Sequence, residues 1–495
     1  MRRRITSTLL ALVMVLALMP TAVLASPSRM VTFRYVEDHM QKTGDTSWQF
    51  PYSDSYFDES SYRYNNDLAK ISLGLALSST SSREATKAKN YSRENQNYLS
   101  FVKSCGFQHP ESNEWMSKPP TTRSIGVNVA QKKIGKSCTL LAVGIRGDLY
   151  RSEWGGNLEL GASGAHQNWD NASRQVLEFV RKYIADNNVH GSLKIWIAGY
   201  SRAAATANLT GSKLDDGWNL GKKVSLKPED VYCYTFEAPM GAQKSQAADP
   251  RYNNIQNVLS ENDIVTALPP KDWGFCRYGT DHLYPSRRIN GADYTAYSDK
   301  EKAEVKQVPN QLFNIYWPDL YTPMGVNAPQ SPKELYDRLG KALTTSFVTS
   351  RQDYVENVQD YLIDIFKAYY SQGDKDLSTS RALSNFGKKV QDNAGTLFQA
   401  LINPQDNAVD VLMNYLVESF REENYIDYNY DQIKEMLQVL VPRLQRMAKA
   451  YPSETLTLLG NIINCLASHD IAPNIAWLEV LPDSYLGTHT AYSWN

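Results

Sequence analysis

The chain has 495 residues, 42% of them hydrophobic and 21% charged, with a formal net charge of −1. That composition belongs to a globular protein with enough apolar residues for a large core, and the length suits two or three structural units. A near-neutral balance with no long run of like charge excludes the electrostatic footprint of a nucleic-acid binder or of a protein held on acidic membranes.

The N-terminus reads Arg2, Arg3, Arg4, then an apolar stretch over residues 5–18, then Pro20 and a small-residue ending at Ala25. This is the three-part pattern of a secretory signal peptide, and the apolar run falls short of the roughly 20 residues that span a bilayer. Residues 1–25 are therefore expected to be cleaved, leaving a secreted, extracellular protein without a transmembrane anchor. Five cysteines (Cys105, Cys138, Cys233, Cys276, Cys465) are scattered without C-x-x-C spacing. They read as buried apolar residues, although an oxidising compartment would permit one or two bridges.

Residues 26–120 are polar and Tyr-rich, with helices predicted over 66–77 and 98–105, and read as a flank packed on the core. Residues 121–290 change to short apolar runs, at 138–145, 193–198, 231–236 and 255–259. Between the first two, Val176, Phe179, Val180 and Tyr183 recur at helical spacing. Strand, helix, strand is the unit of a doubly wound, mostly parallel sheet, so this stretch is the expected α/β core. Residues 291–475 form a predicted helical insertion. Two stripes of 3.6-residue period mark it, Val355, Val358, Leu362, Ile365, Phe366, Tyr369 and Val409, Leu412, Met413, Leu416, Phe420, with breaks at Gly373, Pro404 and Pro452. Residues 476–495 are a short segment expected to rejoin the core.

At Gly199, Tyr200, Ser201, Arg202, Ala203 an apolar run stops and an Ala-rich helix begins. A sharp turn between strand and helix is how a serine is raised at the top of a sheet as a nucleophile, and small neighbours are needed because strand and helix approach closely. Ala203 stands where such a pentapeptide has its second glycine. A serine preceding a helix also serves as an ordinary N-cap, so the pentapeptide alone leaves both uses open.

Further segments narrow the choice. The stretch TLLAVGIRGD ending at Asp148, GAHQNW around His166, YTFEAP from Tyr234 and NDIVTALPP from Asn262 follow one another in order. With the serine pentapeptide they resemble the segments of class 3 (fungal-type) lipases. The likeness is greatest to bacterial secreted members of this lipase-like family, through Glu153, Trp154 and Asn157. The resemblance covers mainly residues 121–288. It implies an α/β-hydrolase fold with the helical insertion placed before a C-terminal histidine segment. It also implies Ser201 as nucleophile and Asp263 as triad acid, with Glu261 as fallback. The oxyanion hole would come from the backbone N–H groups of Arg202 and Asp148. Asp148 departs from the hydroxyl residue usual there, so its side chain is expected to turn away, onto Arg151 or Arg202.

The histidine is left between two residues. His39, His109 and His190 sit in polar or turn-like contexts, His166 matches a non-catalytic position, and His469 closes a helix. In the family the catalytic histidine closes the chain in an H-x-x-Y context, which His489 and Tyr492 fit, so His489 is preferred and His282 is the alternative base.

The expected function is hydrolysis of a carboxylic ester, of a lipid or a smaller molecule, through an acyl-enzyme. Two other uses of the scaffold stay open: a non-catalytic surface or binding protein, and a peptidase or acyltransferase. No HExxH or other metal-ligand spacing occurs, so neither a metal nor another cofactor is expected. The helical insertion is expected to cap the Ser201 site, because Asp263 and His489 flank it.

Overall fold

The computed structural model describes residues 28–36, 45–79, 96–147, 165–285 and 380–494, apart from short stretches within them such as 261–262, 270–273 and 461–468. The expected leader, the Glu153–Trp154–Asn157 segment and the stripe from Val355 to Tyr369 lie outside the described residues.

Strands β1 (Arg29–Val36) and β2 (Asp45–Tyr52) form an antiparallel hairpin, followed by helices α1 (Asn66–Ser78) and α2 (Gln96–Ser104). Next come β3 (Gln108–Ser112), β4 (Val127–Ile134), β5 (Cys138–Ile145), α3 (Gln167–Asp186), β6 (Gly191–Tyr200), α4 (Arg202–Asp215) and β7 (Val224–Phe236). The short β8 (Ala242–Gln243) and β10 (Phe275–Cys276) pair with each other, and β9 (Ile255–Leu259), β11 (Thr280–Leu283) and β12 (Thr490–Ala491) complete the strands. The central sheet has eight strands in the order β3-β4-β5-β6-β7-β9-β11-β12. From β5 to β11 its neighbours are parallel, while β3 and β4 at one edge and β12 at the other are antiparallel. A mostly parallel sheet with helices on both faces is the α/β-hydrolase architecture.

The central strands read as continuous apolar runs because both faces are covered. Along β6, Trp196 and Ala198 face one cluster and Ile195 and Ile197 the other, the alternation that a pleated strand imposes. The first face is closed by the β1–β2 hairpin, α1 and α2, so the Tyr-rich flank is a structural layer and also supplies the edge strand β3. Helix α1 is buried along most of its length. It is started by Asn65, whose Oδ1 accepts the Leu68 N–H at 2.9 Å, and its Ser72 hydroxyl accepts the Trp196 indole N–H at 2.7 Å. That bond removes the penalty a buried indole donor would otherwise carry. Trp196, Tyr232 and Phe57 pack ring against ring beneath it, each contributing roughly 1.5–3 kcal/mol by burial. The second face is closed by α3 and α4.

Helices α5 (Ser380–Asp392), α6 (Ala394–Ile402), α7 (Ala408–Glu422), α8 (Tyr430–Ala450) and α9 (Pro452–Leu459) share a core of their own, built around residues such as Leu397, Leu412, Leu416 and Leu444. Leu412, Met413 and Leu416 of the stripe read from the sequence are buried. Pro452 opens α9, a position where its missing N–H costs nothing. The chain then returns to the first face through α10 (Ile471–Val480), whose Ile475, Trp477 and Leu478 join the hairpin cluster.

Cys105, Cys233 and Cys276 are buried thiols and Cys138 is partly exposed; none of the four is bridged. Among the described residues no helix is long and apolar enough to cross a membrane.

Candidate active site

Parallel strands deliver their carboxyl ends to one edge, and there β6 stops at Tyr200. Ser201 follows with φ 57° and ψ −127°, a left-handed conformation that a non-glycine residue adopts only where the surroundings enforce it. Its N–H donates to the Phe236 carbonyl at 2.9 Å, which ties the turn to β7. A Cβ on Gly199 would lie 2.3 Å from the Ala203 carbonyl oxygen, so the first glycine of the pentapeptide is obligatory. Ala203 is fully buried and its methyl is accommodated.

The Ser201 side chain makes no capping bond to α4. Its Oγ lies 2.8 Å from Nε2 of His469, and Nδ1 of His469 lies 2.6 Å from Oδ2 of Asp263. Asp263 is completely buried just past the end of β9. Its second oxygen accepts the Val265 N–H at 2.8 Å, so the residue caps the turn Ile264–Ala267 and faces the imidazole at once. Hydroxyl, imidazole and carboxyl in this sequence form a proton-relay geometry.

The structure thus brings Ser201 and Asp263 together and places a different histidine between them. His489 does not reach the site: its ring stacks on Tyr485 at 3.9 Å, its Nδ1 lies 2.9 Å from the Tyr485 carbonyl oxygen, and its own carbonyl accepts the Leu283 N–H. It belongs to the tail that adds β12 to the outer edge of the sheet. His282 is buried with both nitrogens engaged, Nδ1 at 2.7 Å from the Leu486 carbonyl and Nε2 at 2.6 Å from Gln256 Oε1, and its ring lies 4.1 Å from Tyr64. It holds the tail to the core. His469 sits just before α10, inside the stretch 291–475 read as the helical insertion, and nothing local in the sequence marks it. The chain order Ser, Asp, His is the same with either residue, so the order could not choose between them.

Position 469 is fixed by its neighbours. Its carbonyl accepts the Tyr200 hydroxyl at 2.6 Å, and that hydroxyl accepts the Asn474 amide at 3.2 Å. Arg202 lies in the first turn of α4, where helix geometry supplies no acceptor for a backbone N–H. Its buried guanidinium is turned aside, donating to the Ser124 carbonyl and to Asn168 Oδ1. Gly147 lies against the same strand end, since a Cβ there would be 3.3 Å from the Tyr200 carbonyl oxygen. Asp148 and Glu261 lie outside the described residues.

Sequence reasoning passed over Glu237. It follows β7 with φ 48°, is fully buried, and accepts the Ser260 N–H through Oε2 at 3.0 Å. Burial first, and the adjacent Asp263 second, hold its carboxyl well above the usual carboxylate range.

Residues 148–273 match the family described as Lipase (class 3), a stretch that contains Ser201 and Asp263 and ends well before His469. No curated protein matches the chain. Among solved structures, the chain is similar to a triacylglycerol lipase whose catalytic centre is described as a serine protease triad, at 20% identity over 33% of this chain and 63% of that one, with a TM-score of 0.26. A native Rhizomucor miehei lipase propeptide complex is 18% identical over 33% of this chain and 53% of that one, with a TM-score of 0.26. A fungal lipase–inhibitor complex is 15% identical over 48% and 83%, with a TM-score of 0.32. The chain therefore spans less than two thirds of the first two of these proteins.

Proposed function

We propose, for a chain that belongs to a class 3 lipase-like family through its residues 148–273, that it is a secreted serine hydrolase cleaving carboxylic esters. The observation that carries this reading is the Ser201–His469–Asp263 chain, with contacts of 2.8 and 2.6 Å. In the proposed mechanism His469 Nε2 takes the Ser201 proton as Oγ attacks the acyl carbonyl, giving a tetrahedral intermediate. The same proton passes to the leaving alcohol, an acyl-enzyme forms, and water reverses the sequence. Asp263 holds the imidazole in the tautomer with Nε2 free to accept. The Arg202 N–H stabilises the developing oxyanion, a contribution of about 3–4 kcal/mol per donor in enzymes of this type, with Asp148 N–H as the second donor.

Secretion belongs to the same proposal and rests on the leader pattern of residues 2–25. A lipid or a small ester is the proposed substrate. The helical insertion is proposed as a cap, because its outgoing end delivers His469 to Ser201 and would shape the acyl pocket there.

A fluorophosphonate probe tests the reading. Wild-type protein is expected to be labelled at Ser201 and Ser201→Ala is not. A folded wild-type protein that neither labels nor hydrolyses esters would make the scaffold a binding module.

A further inference from the structure

Two carboxyl groups meet in the floor of the site. Asp263 faces His469, and the Glu237 carboxyl is tied to the same turn: its Oε2 accepts the Ser260 N–H at 3.0 Å, the Ser260 carbonyl accepts the Asp263 N–H at 3.2 Å, and Glu237 Oε1 is buried with no hydrogen-bond partner among the described residues. Both residues are completely buried. Two carboxylate charges held so close in a dry interior cannot both persist, so one of the two carboxyls keeps a proton. Asp263 already receives two donors, the Val265 N–H and the imidazole, so its negative form is the better solvated. Glu237 receives the Ser260 N–H on Oε2, while its Oε1 has no hydrogen-bond partner among the described residues. The Arg277 guanidinium, which donates to the carbonyl of Ala238 next to Glu237, is bidentate on Asp281.

We propose that Glu237 is a positioning residue that keeps its proton and donates it in a hydrogen bond to Asp263, fixing that carboxylate against His469. The inference rests on the Ser201–His469–Asp263 reading. The backbone supports it independently: Glu237 holds a φ of 48°, where glycine would be free of strain, and the chain instead keeps a long acidic side chain there. No proton is transferred in this role. The O–H stays on Glu237 and the charge stays on Asp263. The groups around the pair are His469 beyond Asp263, the Tyr284 phenol from the chain after β11, the Asn474 amide of α10, and Arg277 with its partner Asp281.

Glu237→Gln preserves a donor for Asp263 and an acceptor for Ser260 while removing the titratable proton. It is expected to keep kcat within about threefold of wild type at pH 7, and Glu237→Ala to lose about 10- to 100-fold in kcat with KM little changed, the scale of a misaligned catalytic group. Wild type is expected to lose turnover at alkaline pH as Glu237 ionises beside Asp263, and Glu237→Gln to lack that fall. In an Asp215→Asn background, which removes the other carboxyl raised to about 8, the infrared carbonyl stretch of a protonated carboxylic acid at neutral pH is expected with Glu237 and is missing with Glu237→Gln, a readout independent of turnover. The proposal is overturned if Glu237→Gln falls as far as Glu237→Ala, if Glu237→Ala equals wild type, or if Glu237→Gln leaves the protonated stretch of the Asp215→Asn protein unchanged. An unlabelled wild-type Ser201 would instead defeat the underlying hydrolase reading.

Discussion

The Tyr200 hydroxyl donates to the backbone carbonyl of His469 at 2.6 Å, so the last residue of the central strand holds the turn that carries the imidazole. The two residues are 269 positions apart in sequence and the bond closes the path from β6 through the helical insertion and back. Tyr200→Phe removes this donor and also the acceptor for Asn474. Turnover is expected to fall about 10-fold with KM little affected, because small displacements of a proton acceptor are costly. Steady-state ester hydrolysis checks this, and an unchanged kcat would show that the turn is held by other contacts.

Gly199→Ala tests the elbow itself. The added methyl would meet backbone atoms of Ala203 and Ala204, which cannot rotate away as a side chain can. Destabilisation of about 3 kcal/mol or more is expected, at the upper end of overpacking effects. Urea denaturation gives the value, and a loss below about 1 kcal/mol would mean that α4 shifts freely against β6.

Asp215 supplies a pH dependence of stability unrelated to the site. Burial first, with Asp216 beside it, pushes its carboxyl up to about 8, while the Asn254 amide bond at 2.8 Å opposes the rise. Its pKa is higher folded than unfolded, so its stabilising contribution is full below about pH 4 and is lost as pH rises to about 8. Asp215→Asn does not titrate. Its stability advantage over wild type should therefore grow across that interval, to several kcal/mol at most by the linkage relation. Denaturation midpoints at pH 4.5 and 8 measure it, and a constant difference would contradict the burial argument.

Truncation after Thr488 is expected to cost stability and to spare the chemistry. The lost residues pair with β11, and Ser493 Oγ both accepts the Arg277 N–H at 2.6 Å and donates to the Arg277 carbonyl at 2.9 Å. Removing these buried bonds should lower unfolding free energy by about 1–3 kcal/mol. At temperatures where the truncated chain remains folded, kcat should stay within a few-fold of wild type. Loss of turnover in a folded truncated protein would restore His489 to the site.

The fold was legible where a physical period was sustained. The runs at 138–145 and 255–259 coincide with β5 and β9; β5 is almost wholly apolar because it is buried on both faces, and β9 keeps apolar Ile255, Val258 and Leu259 around the buried polar Gln256 and Asn257. The hairpin β1–β2 and the edge strands β3 and β12 were not legible. Their residues alternate or carry charge, as Gln108, His109 and Glu111 do in β3, and their pairing depends on distant partners. In the site, Ser201 and Asp263 were marked by local chemistry, a strained turn between strand and helix and a turn just beyond a strand end. His469 carries no such mark. Its role comes from the bond to Tyr200 and from the return of the chain into α10, neither of which has a local signature. Glu237 was hidden for the same reason, since only burial beside Asp263 distinguishes it from a surface glutamate.

The central claim is that His469 is the base paired with Ser201, and the most direct measurement is ester turnover of His469→Ala beside His489→Ala, with circular dichroism on both. The account predicts that His469→Ala loses several orders of magnitude in kcat, comparable to Ser201→Ala because members of such a relay act as a unit, while His489→Ala stays within a few-fold of wild type. A folded His469→Ala protein that keeps most of its turnover, or a folded His489→Ala protein that loses it, would contradict the account.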